Sequence, residues 1–495
     1  MNPDGHSHRD RSHPAHALSE RVTSSRRPRG EASLGWRVDR KGVTVTHAAH
    51  LSEGASLGTS SRSPRAATAL SEAEVERVRA DFPVLNQPLD DHRLIYLDSG
   101  ATAQRPTAVL DTERAFLERD NGAVHRGAHT LAARSTEAFE LARETVASFV
   151  GADADEIAWA LNATDALGMI ALGIDRASHG FGGEASASVA LREGDEIVFT
   201  EAEHHANLVP WQQVAQSTGA VVRVVPVADD GTWTIDDLRA VVTDRTRVIA
   251  FSHISNVTGL IAPVDDVVAI ARSVGAITVL DACQSAPHRP LDLHALGVDA
   301  VAFSAHKMLG PNGLGILYGR REFLAALPPA RTGGSMITTV TLERSEFMDA
   351  PMRFEAGTQP VSQAVALAEA VRYLEAVGMD RVEAHEHELG ERLAAGLSAI
   401  PGVRVLGPAA GTVRAGLASF AVDGVHAHDV TQFLDAEGIA ARGGHHCAQP
   451  LHRRLGLTAT TRASTYLYTS RADVDRLLDV LAGVRGYFGV GGAAS

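Results

Sequence analysis

The chain has 495 residues, 44% of them hydrophobic, and a formal net charge of -14. This length provides a large buried core and roughly two to four domains, while the acidic balance argues against nucleic-acid binding. No apolar run approaches the ~20 residues that span a bilayer, so no membrane partner is expected. Only Cys283 and Cys447 are cysteines, which excludes a disulfide-rich secreted scaffold and predicts a reducing, cytoplasmic setting.

Residues 1–70 differ in composition from the rest of the chain. They are rich in Ser, Arg, His and Gly, with 11 basic and 6 acidic residues, and they show little hydrophobic periodicity. Such a segment cannot bury enough apolar surface to fold alone. We interpret it as a disordered extension or a mis-assigned start, with a histidine-rich metal-binding tail as a weaker alternative.

Regular structure is expected from Ser71 onward. Ser71 with Glu74 three residues later is a capping-box pattern, which predicts a helix start. We assign residues 71–96 to an N-terminal segment that packs with the C-terminal domain. Short apolar runs then predict buried strands at 196–200, 221–227, 247–254, 276–282 and 299–305.

Helical patterns, such as residues 264–275, alternate with these strands. Alternation of this kind is typical of βαβ units, so residues 97–375 are predicted to form an α/β domain with a mainly parallel sheet. The Gly- and Ser-rich residues 176–189 are predicted to form a mobile loop. A long amphipathic stretch, shorter strands and a last helix at 472–484 predict a smaller α+β domain over residues 376–490.

Two residues at strand ends suggest a pyridoxal-phosphate site. Asp281 ends one predicted strand, and Lys307 follows the next; the carboxyl ends of such strands form the ligand-binding edge of a sheet. An amine can bind the cofactor's carbonyl as an imine, and a carboxylate can keep its ring nitrogen protonated. Lys41 and Lys307 are the only lysines, so Lys307 is the one amine available to the folded part.

Cys447 follows a glycine-rich stretch that contains Arg442, His445 and His446. Glycines and neighbouring positive charge predict a mobile loop in which the thiolate is favoured, whereas a buried structural thiol is the alternative. Cys283 is interpreted as a packing residue. The histidine pairs at 204–205 and 445–446 are weak zinc candidates, because adjacent side chains rarely bind one metal. Stacking on a cofactor ring is a competing role for His204.

Two arginines are candidate anion clamps. Arg462 lies in TTRAS and Arg126 in VHRGAH, and the planar guanidinium group suits bidentate binding of a carboxylate. Because the chain contains many arginines, neither assignment is specific when taken alone.

Taken together, ordered segments of residues 73–488 resemble the group II (SufS-type) cysteine desulfurases, class V aminotransferase-like enzymes with the fold-type I pyridoxal-phosphate transferase architecture. The segments that carry the resemblance are VRADFPVL, YLDSGATAQRP, VHRGAHTL, EHHANLVPW, SNVTGL, LDACQSAPH, FSAHKMLGPNGLGILYG, RFEAGTQP, GGHHCAQPL and TTRAS. The resemblance implies a pyridoxal 5'-phosphate enzyme that converts L-cysteine to L-alanine. It also implies that the sulfur remains as a persulfide on Cys447.

The resemblance also assigns roles to individual residues. Lys307 matches the imine-forming lysine, Cys447 the sulfur acceptor, and Arg462 the clamp for the substrate carboxylate. Residues that match cofactor contacts are Asp281 at the ring nitrogen, Gln284 at the ring oxygen, His204 stacked on the ring, Asn256, and Thr164, Ser304 and His306 at the phosphate. Thr358 matches a phosphate contact supplied by the other subunit of a homodimer, and His125 and Arg126 match the entrance.

The sequence departs from the family pattern where Ala163 precedes Thr164, which removes one hydroxyl from the phosphate cradle. The resemblance implies a SufE- or SufU-type sulfur acceptor that docks at the pocket, for iron–sulfur cluster assembly. The nearest alternatives are selenocysteine lyase, cysteine-sulfinate desulfinase or an epimerase, and the two cleavage reactions need Cys447 less. A zinc-binding scaffold or a sulfur carrier without turnover are the alternatives outside this enzyme class.

Overall fold

The structure is a computed structural model that describes residues 67–89 and 92–490. The predictions for residues 1–66 lie outside the described residues. Leu70, which precedes the predicted boundary at Ser71, is buried in the main core.

The described residues alternate between helices and strands. The α-helices are α1 Glu72–Ala80, α2 Thr107–Arg119, α3 Thr130–Phe149, α4 Ala163–Ser178, α5 Val209–Thr218, α6 Ile235–Val241, α7 Val264–Val274, α8 Leu293–Leu296, α9 Arg321–Ala326, α10 Val361–Val377, α11 Met379–Ala399, α12 Ala427–Asp435, α13 Gln449–Arg454, α14 Arg471–Ala482 and α15 Val484–Tyr487. The strands are β1 Pro88–Leu89, β2 His92–Arg93, β3 Ile95–Tyr96, β4 Ile157–Ala160, β5 Glu196–Thr200, β6 Val221–Val225, β7 Thr246–Ser252, β8 Ile277–Asp281, β9 Ala300–Ser304, β10 Gly315–Gly319, β11 Ile337–Val340, β12 Ser345–Phe347, β13 Val403–Val405, β14 Leu417–Val422, β15 Ile439–Ala440, β16 Arg442–Gly444 and β17 Thr460–Ser464.

A seven-stranded sheet organises the larger part of the described chain. Its strand order is β4-β10-β9-β8-β7-β5-β6. Strand β10 runs antiparallel to both of its neighbours, and the pairs from β9 to β6 are all parallel. The predicted α/β fold with a mainly parallel sheet is therefore confirmed.

Both faces of the central strands are covered, which explains their nearly continuous apolar sequences. In β9, Val301 and Phe303 belong to one hydrophobic cluster, and Ala300 and Ala302 belong to another. The prediction of a buried strand was wrong for β6, where only Val225 is buried. Strand β6 lies at the edge of the sheet and pairs with β5 alone, so most of its side chains have no covering layer.

A second, antiparallel sheet of order β13-β14-β17-β16 lies in the C-terminal region. Helices α11 and α14 pack on it, with leucines such as Leu389, Leu393 and Leu477 in a third core cluster. Helix α10 continues two residues beyond residue 375. The two sheets belong to one compact unit.

The N-terminal segment contacts this C-terminal region. Glu74 pairs with Arg381 at 2.8 Å, and Arg471 pairs with Glu72 at 2.9 Å. Strand β3 pairs in parallel with β15. These contacts bring the chain that follows β3 to the place where the two sheets meet.

Short sequence patterns predicted some of the helix and loop boundaries correctly. The predicted Ser71–Glu74 capping box is present, and the amphipathic stretch after residue 377 forms α11. The predicted loop at 176–189 was wrong at its start, because α4 continues through Ser178 and the chain turns only afterwards, at Gly180 and Gly182, both at positive φ.

Among the described residues, no helix has both the length and the hydropathy needed to cross a membrane.

Candidate active site

A cavity of about 510 Å³ lies where β5, β7, β8 and β9 end at one edge of the large sheet. This is the edge at which parallel α/β sheets bind ligands. Ten of the thirteen site residues predicted from sequence line the cavity. They are Thr164, His204, Asn256, Asp281, Gln284, Ser304, His306, Lys307, Cys447 and Arg462.

Lys307 and Asp281 both line this cavity, as their positions after adjacent strands predicted. Asp281 is the last residue of β8, and its Oδ1 accepts the N–H of Cys283 at 2.9 Å. Lys307 lies in the short 3-10 turn that follows β9. It is the only lysine among the described residues. The site therefore combines one amine with a buried carboxylate that is fixed by the sheet.

His204 presents a neutral imidazole to the cavity. Burial is the main cause that lowers the pKa of His204 to about 4; nearby Lys307 and Arg462 lower it further, and Asp281 opposes them. Its Nδ1 accepts the N–H of Ala206 at 3.1 Å, so the ring hydrogen lies on Nε2. A neutral ring with a fixed tautomer is suited to stacking on a planar ligand.

The N-terminus of α4 forms the opposite wall of the cavity. Asn162 caps this sixteen-residue helix, and the N–H of Ala163 donates to Ser304 Oγ at 2.8 Å. Thr164 and His306 also line the wall. Burial, with Lys307 nearby, lowers the pKa of His306 to about 4, so His306 is a neutral hydrogen-bonding group. Helix N-terminal N–H groups and hydroxyl side chains together suit a phosphate group.

Gln284 and Asn256 connect the cavity wall to distant segments of the chain. Gln284 Nε2 donates to the Gly100 carbonyl at 2.8 Å, and its buried Oε1 has no hydrogen-bond partner among the described residues. Asn256 Nδ2 donates to the His446 carbonyl at 2.7 Å. The amide nitrogen of Asn256 thus holds the cysteine loop in this structure, in addition to lining the cavity.

Cys447 is the exposed cysteine of the described chain and it faces the same cavity. His446 and Cys447 both adopt positive φ, at 50° and 57°, a left-handed conformation that costs a non-glycine residue roughly 1–2 kcal/mol. The Cys447 carbonyl accepts the N–H of His205 at 2.7 Å, and the N–H of Gln449 donates to His205 Nε2 at 3.0 Å. These bonds tie the loop to the large sheet in this structure. The mobility predicted from its glycines stays a prediction.

Cys283 has the opposite environment. Its side chain is buried, and burial together with the Asp281 carboxylate raises the pKa of its thiol. A thiol that resists ionisation is a poor nucleophile. Of the two cysteines, Cys447 is therefore the one placed for nucleophilic chemistry.

Arg462 supplies a buried cation on the C-terminal side of the cavity. Its Nη1 donates to the Asn256 carbonyl at 3.0 Å, and its Nη2 lies 3.4 Å from Asp98 Oδ1. Its Nε has no partner among the described residues. Asp98 also accepts from two nitrogens of Arg442: Nη2 donates to Oδ2 at 2.9 Å, and Nε donates to both carboxylate oxygens at 3.1 Å. This arrangement leaves donor capacity for an incoming carboxylate.

Sequence reasoning did not assign a role to Asp98. The residue lies between β3 and the cavity wall at Gly100, and it aligns two arginines that are far away in sequence. Its only signal was its position in the YLDSG segment.

Three predicted site residues do not line the cavity of their own chain. Thr358, His125 and Arg126 are exposed. His125 Nε2 bonds to Glu140 at 2.8 Å, and Arg126 donates to the Ser335 carbonyl at 3.3 Å.

The residues present fit pyridoxal 5'-phosphate. The fit rests on the amine of Lys307, the carboxylate of Asp281, the α4 N-terminus for a phosphate, and the unpartnered Oε1 of Gln284. Each chemical feature of this cofactor has a matching group among the residues that line the cavity.

Comparisons with known proteins agree with this geometry. A family model described as aminotransferase class-V matches residues 95–477. A probable cysteine desulfurase 2 of Mycobacterium leprae is 53% identical over 421 residues, which cover 85% of this chain and 99% of that protein. The apo structure of a cysteine desulfurase from Thermococcus onnurineus NA1 matches with a TM-score of 0.76 and 36% identity, over 83% of this chain and 98% of that one. The cysteine desulfurase CsdA of Escherichia coli matches with a TM-score of 0.72 and 35% identity, over 83% and 98% of the two chains.

Proposed function

Since the chain belongs to the aminotransferase class-V family, we propose that its cavity removes sulfur from L-cysteine, as a pyridoxal 5'-phosphate-dependent cysteine desulfurase. The products are L-alanine and a persulfide on Cys447. The observation that carries this proposal is the position of Cys447, the exposed cysteine, in the same cavity as Lys307 and Asp281. A class V site without that thiol would support other reactions of the family equally well.

The bound cofactor supplies an electron sink for negative charge that develops on the amino acid. Lys307 would hold it covalently, Asp281 would keep its ring nitrogen protonated, and the N-terminus of α4 would bind its phosphate. Arg462 binds the substrate carboxylate through the donor capacity described above. The Nζ amine of Lys307, once free and neutral, takes the proton from the substrate Cα.

Cys447 performs the transfer of sulfur. Its thiolate Sγ attacks the sulfur of L-cysteine, so an S–S bond forms as the C–S bond breaks. The electron pair of the broken bond stays with the carbon fragment, which gains protons and leaves as alanine. His204 holds a hydrogen on Nε2 and is the neutral group for moving protons near the departing fragment.

The finer part of the proposal concerns the subgroup, the sulfur acceptor and the setting. We assign the chain to the SufS type, acting in a reducing cytoplasm because Cys447 must remain a free thiol. The hydrogen bonds that tie the Cys447 loop to His205 and Asn256 give it little reach. A SufE- or SufU-type acceptor would therefore dock at the cavity and carry the sulfur to iron–sulfur cluster assembly.

A homodimer accounts for the three residues outside the cavity. Arg126 contacts Ser335, and Gly334 accepts the N–H of Gly357, next to Thr358. His125, Arg126 and Thr358 thus belong to neighbouring exposed loops. We assign Thr358 to the phosphate of the partner copy's site, with His125 and Arg126 at the entrance.

The test of the function is Cys447→Ala. With L-cysteine and added reductant, alanine formation is expected to fall at least about tenfold, because the sulfur loses its nucleophile. The visible absorption band of the bound cofactor should remain. A SufE- or SufU-type acceptor should accelerate the wild type and leave the variant unchanged.

Selenocysteine and cysteine sulfinate serve as matched control substrates, because their cleavage depends less on the thiol. The variant should keep activity on them, which shows that its site is intact. If Cys447→Ala forms alanine from L-cysteine as fast as the wild type, Cys447 is not the sulfur acceptor. A C–S lyase would then describe the chain better.

The shared site is tested by mixing two inactive variants. Lys307→Ala lacks the amine, and Thr358→Ala lacks the phosphate contact, but a hybrid dimer contains one site with both groups. Unfolding and refolding the two together should restore alanine formation and tight cofactor binding, measured against each variant refolded alone. If hybrids whose measured mass is that of a dimer recover neither alanine formation nor cofactor binding, Thr358 does not belong to the partner's site.

A further inference from the structure

A buried carboxylate lies beside the cavity without lining it. Glu203 is 1% exposed and accepts three side-chain hydrogen bonds. Its donors are Thr200 Oγ1 at 2.6 Å, Asn207 Nδ2 at 3.0 Å and Ser252 Oγ at 2.7 Å. The chemistry proposed above does not use this group.

The three donors come from different elements, and one of them, Ser252, lines the cavity. Thr200 ends β5, Ser252 ends β7, and Asn207 closes the tight turn of residues 200–207. Trp211 Nε1 in turn donates to Asn207 Oδ1 at 3.3 Å. Glu203 thus fastens both ends of the 200–207 turn to each other and to the neighbouring strand.

The 200–207 turn carries two functional contacts. His204 faces the cavity with its ring set by the Ala206 N–H. His205 donates its N–H to the Cys447 carbonyl and accepts the Gln449 N–H on its ring. A single turn therefore sets the position of a cavity imidazole and of the cysteine loop.

We propose that Glu203 is a positioning residue, which holds the 200–207 turn so that His204 and Cys447 keep their places across one cavity. The role of the imidazole toward the cofactor rests on the proposed function. The hold on the cysteine loop rests on the hydrogen bonds alone.

The carboxylate form is the one that suits this role. All three partners donate, and a carboxylate accepts at both oxygens. Burial is the main cause that raises the pKa of Glu203 to about 7, and the nearby Asp281 carboxylate adds to it, while the three hydrogen bonds lower it. An amide at this position carries no charge, so its hydrogen bonds to these partners would be weaker than those of the carboxylate.

The test compares Glu203→Gln with Glu196→Gln. Glu196 is a buried carboxylate at the start of β5, the strand that leads into the 200–207 turn, and it accepts from Thr243 Oγ1 at 2.6 Å and pairs with Arg223. It does not line the cavity, so its variant reports the general cost of changing a buried glutamate in this part of the chain. Both purified variants are compared by thermal unfolding to match their stability losses.

Two measurements separate positioning from stability. The first is the rate at which a thiol reagent modifies Cys447 in the cofactor-free protein; Cys283 is buried and is a slow background. The second is the visible circular dichroism of the bound cofactor, which reports how the ring is held. We expect the thiol reagent to modify Cys447 several-fold faster in Glu203→Gln than in the wild type, and the circular dichroism of its bound cofactor to change. The cofactor dissociation constant of this variant should rise about tenfold. Glu196→Gln should show none of these changes.

Equal labelling rates and equal dichroism for both variants would overturn the proposal and leave Glu203 a structural residue. If Glu203→Gln does not fold, Ser252→Ala takes its place, because it removes one of the three hydrogen bonds to Glu203. This variant must show smaller changes in the labelling rate of Cys447 and in the cofactor's circular dichroism. If it shows neither change, the proposal fails. Failure of the proposed function looks different, because Cys447→Ala would then form alanine from L-cysteine as fast as the wild type. The labelling result would stand in that case.

Discussion

Lys307→Ala is expected to reduce alanine formation by about 10⁴-fold, because one substitution removes both the covalent hold on the cofactor and the base for the Cα proton. No other lysine is present among the described residues, so no other lysine of that part of the chain can take over. The visible absorption band of the imine should be absent in the variant. Steady-state alanine formation and the absorption spectrum measure the two losses separately.

Lys307→Arg is the matched control for this prediction. It keeps a positive charge beside Asp281 and His204 but cannot form an imine, so it should bind cofactor reversibly and remain inactive. Borohydride reduction of the wild type, followed by peptide mass analysis, should place the cofactor's mass on Lys307. A label on Lys41 would contradict the assignment. Partial recovery of Lys307→Ala by added small amines would identify the amine as the missing base.

The position of Lys307 and Asp281 was within reach of sequence reasoning because it depends on topology alone. Five short apolar runs predicted strands that the structure contains, and the carboxyl ends of parallel strands meet at one edge. The order of those strands was not predictable from the same runs. Strand β6 has the apolar sequence of a buried strand, yet it lies at the edge. Only the pairing of distant segments decides which strand has two neighbours.

The C-terminal side of the site was less predictable. Asp98 precedes Arg442 by 344 residues and Arg462 by 364, and none of the three carries a local signal of the other two. Their hydrogen bonds exist because β3 pairs with β15 and β16 pairs with β17. The hydrogen bonds that hold the Cys447 loop likewise join chain regions far apart. Glycine content alone indicates flexibility there, whereas these contacts oppose it.

Asp281→Asn is expected to lower the rate of alanine formation by about 10²–10³-fold with little change in cofactor content. The side-chain shape is kept, and the amide oxygen can still accept the Cys283 N–H that Asp281 Oδ1 accepts at 2.9 Å. What is lost is the negative charge that we propose for the cofactor's ring nitrogen, and charge placed in advance in a buried site contributes this much to a rate. Removal of the substrate Cα proton precedes attack by Cys447, so the loss should appear as slower exchange of that proton with solvent.

Asp299→Asn provides the matched control, because it makes the same change at the opposite end of the neighbouring strand. Asp299 Oδ2 accepts from the N–H and Oγ1 of Thr278, both at 2.8 Å, and Asp299 does not line the cavity. Its variant should lose some stability and keep the Cα exchange rate. If Asp281→Asn also keeps that rate, then Asp281 only caps the turn after β8. Slow exchange in Asp281→Asn alone would mean that the carboxylate acts on the cofactor, because both changes remove one carboxylate charge at the ends of neighbouring strands and only Asp281 faces the cavity.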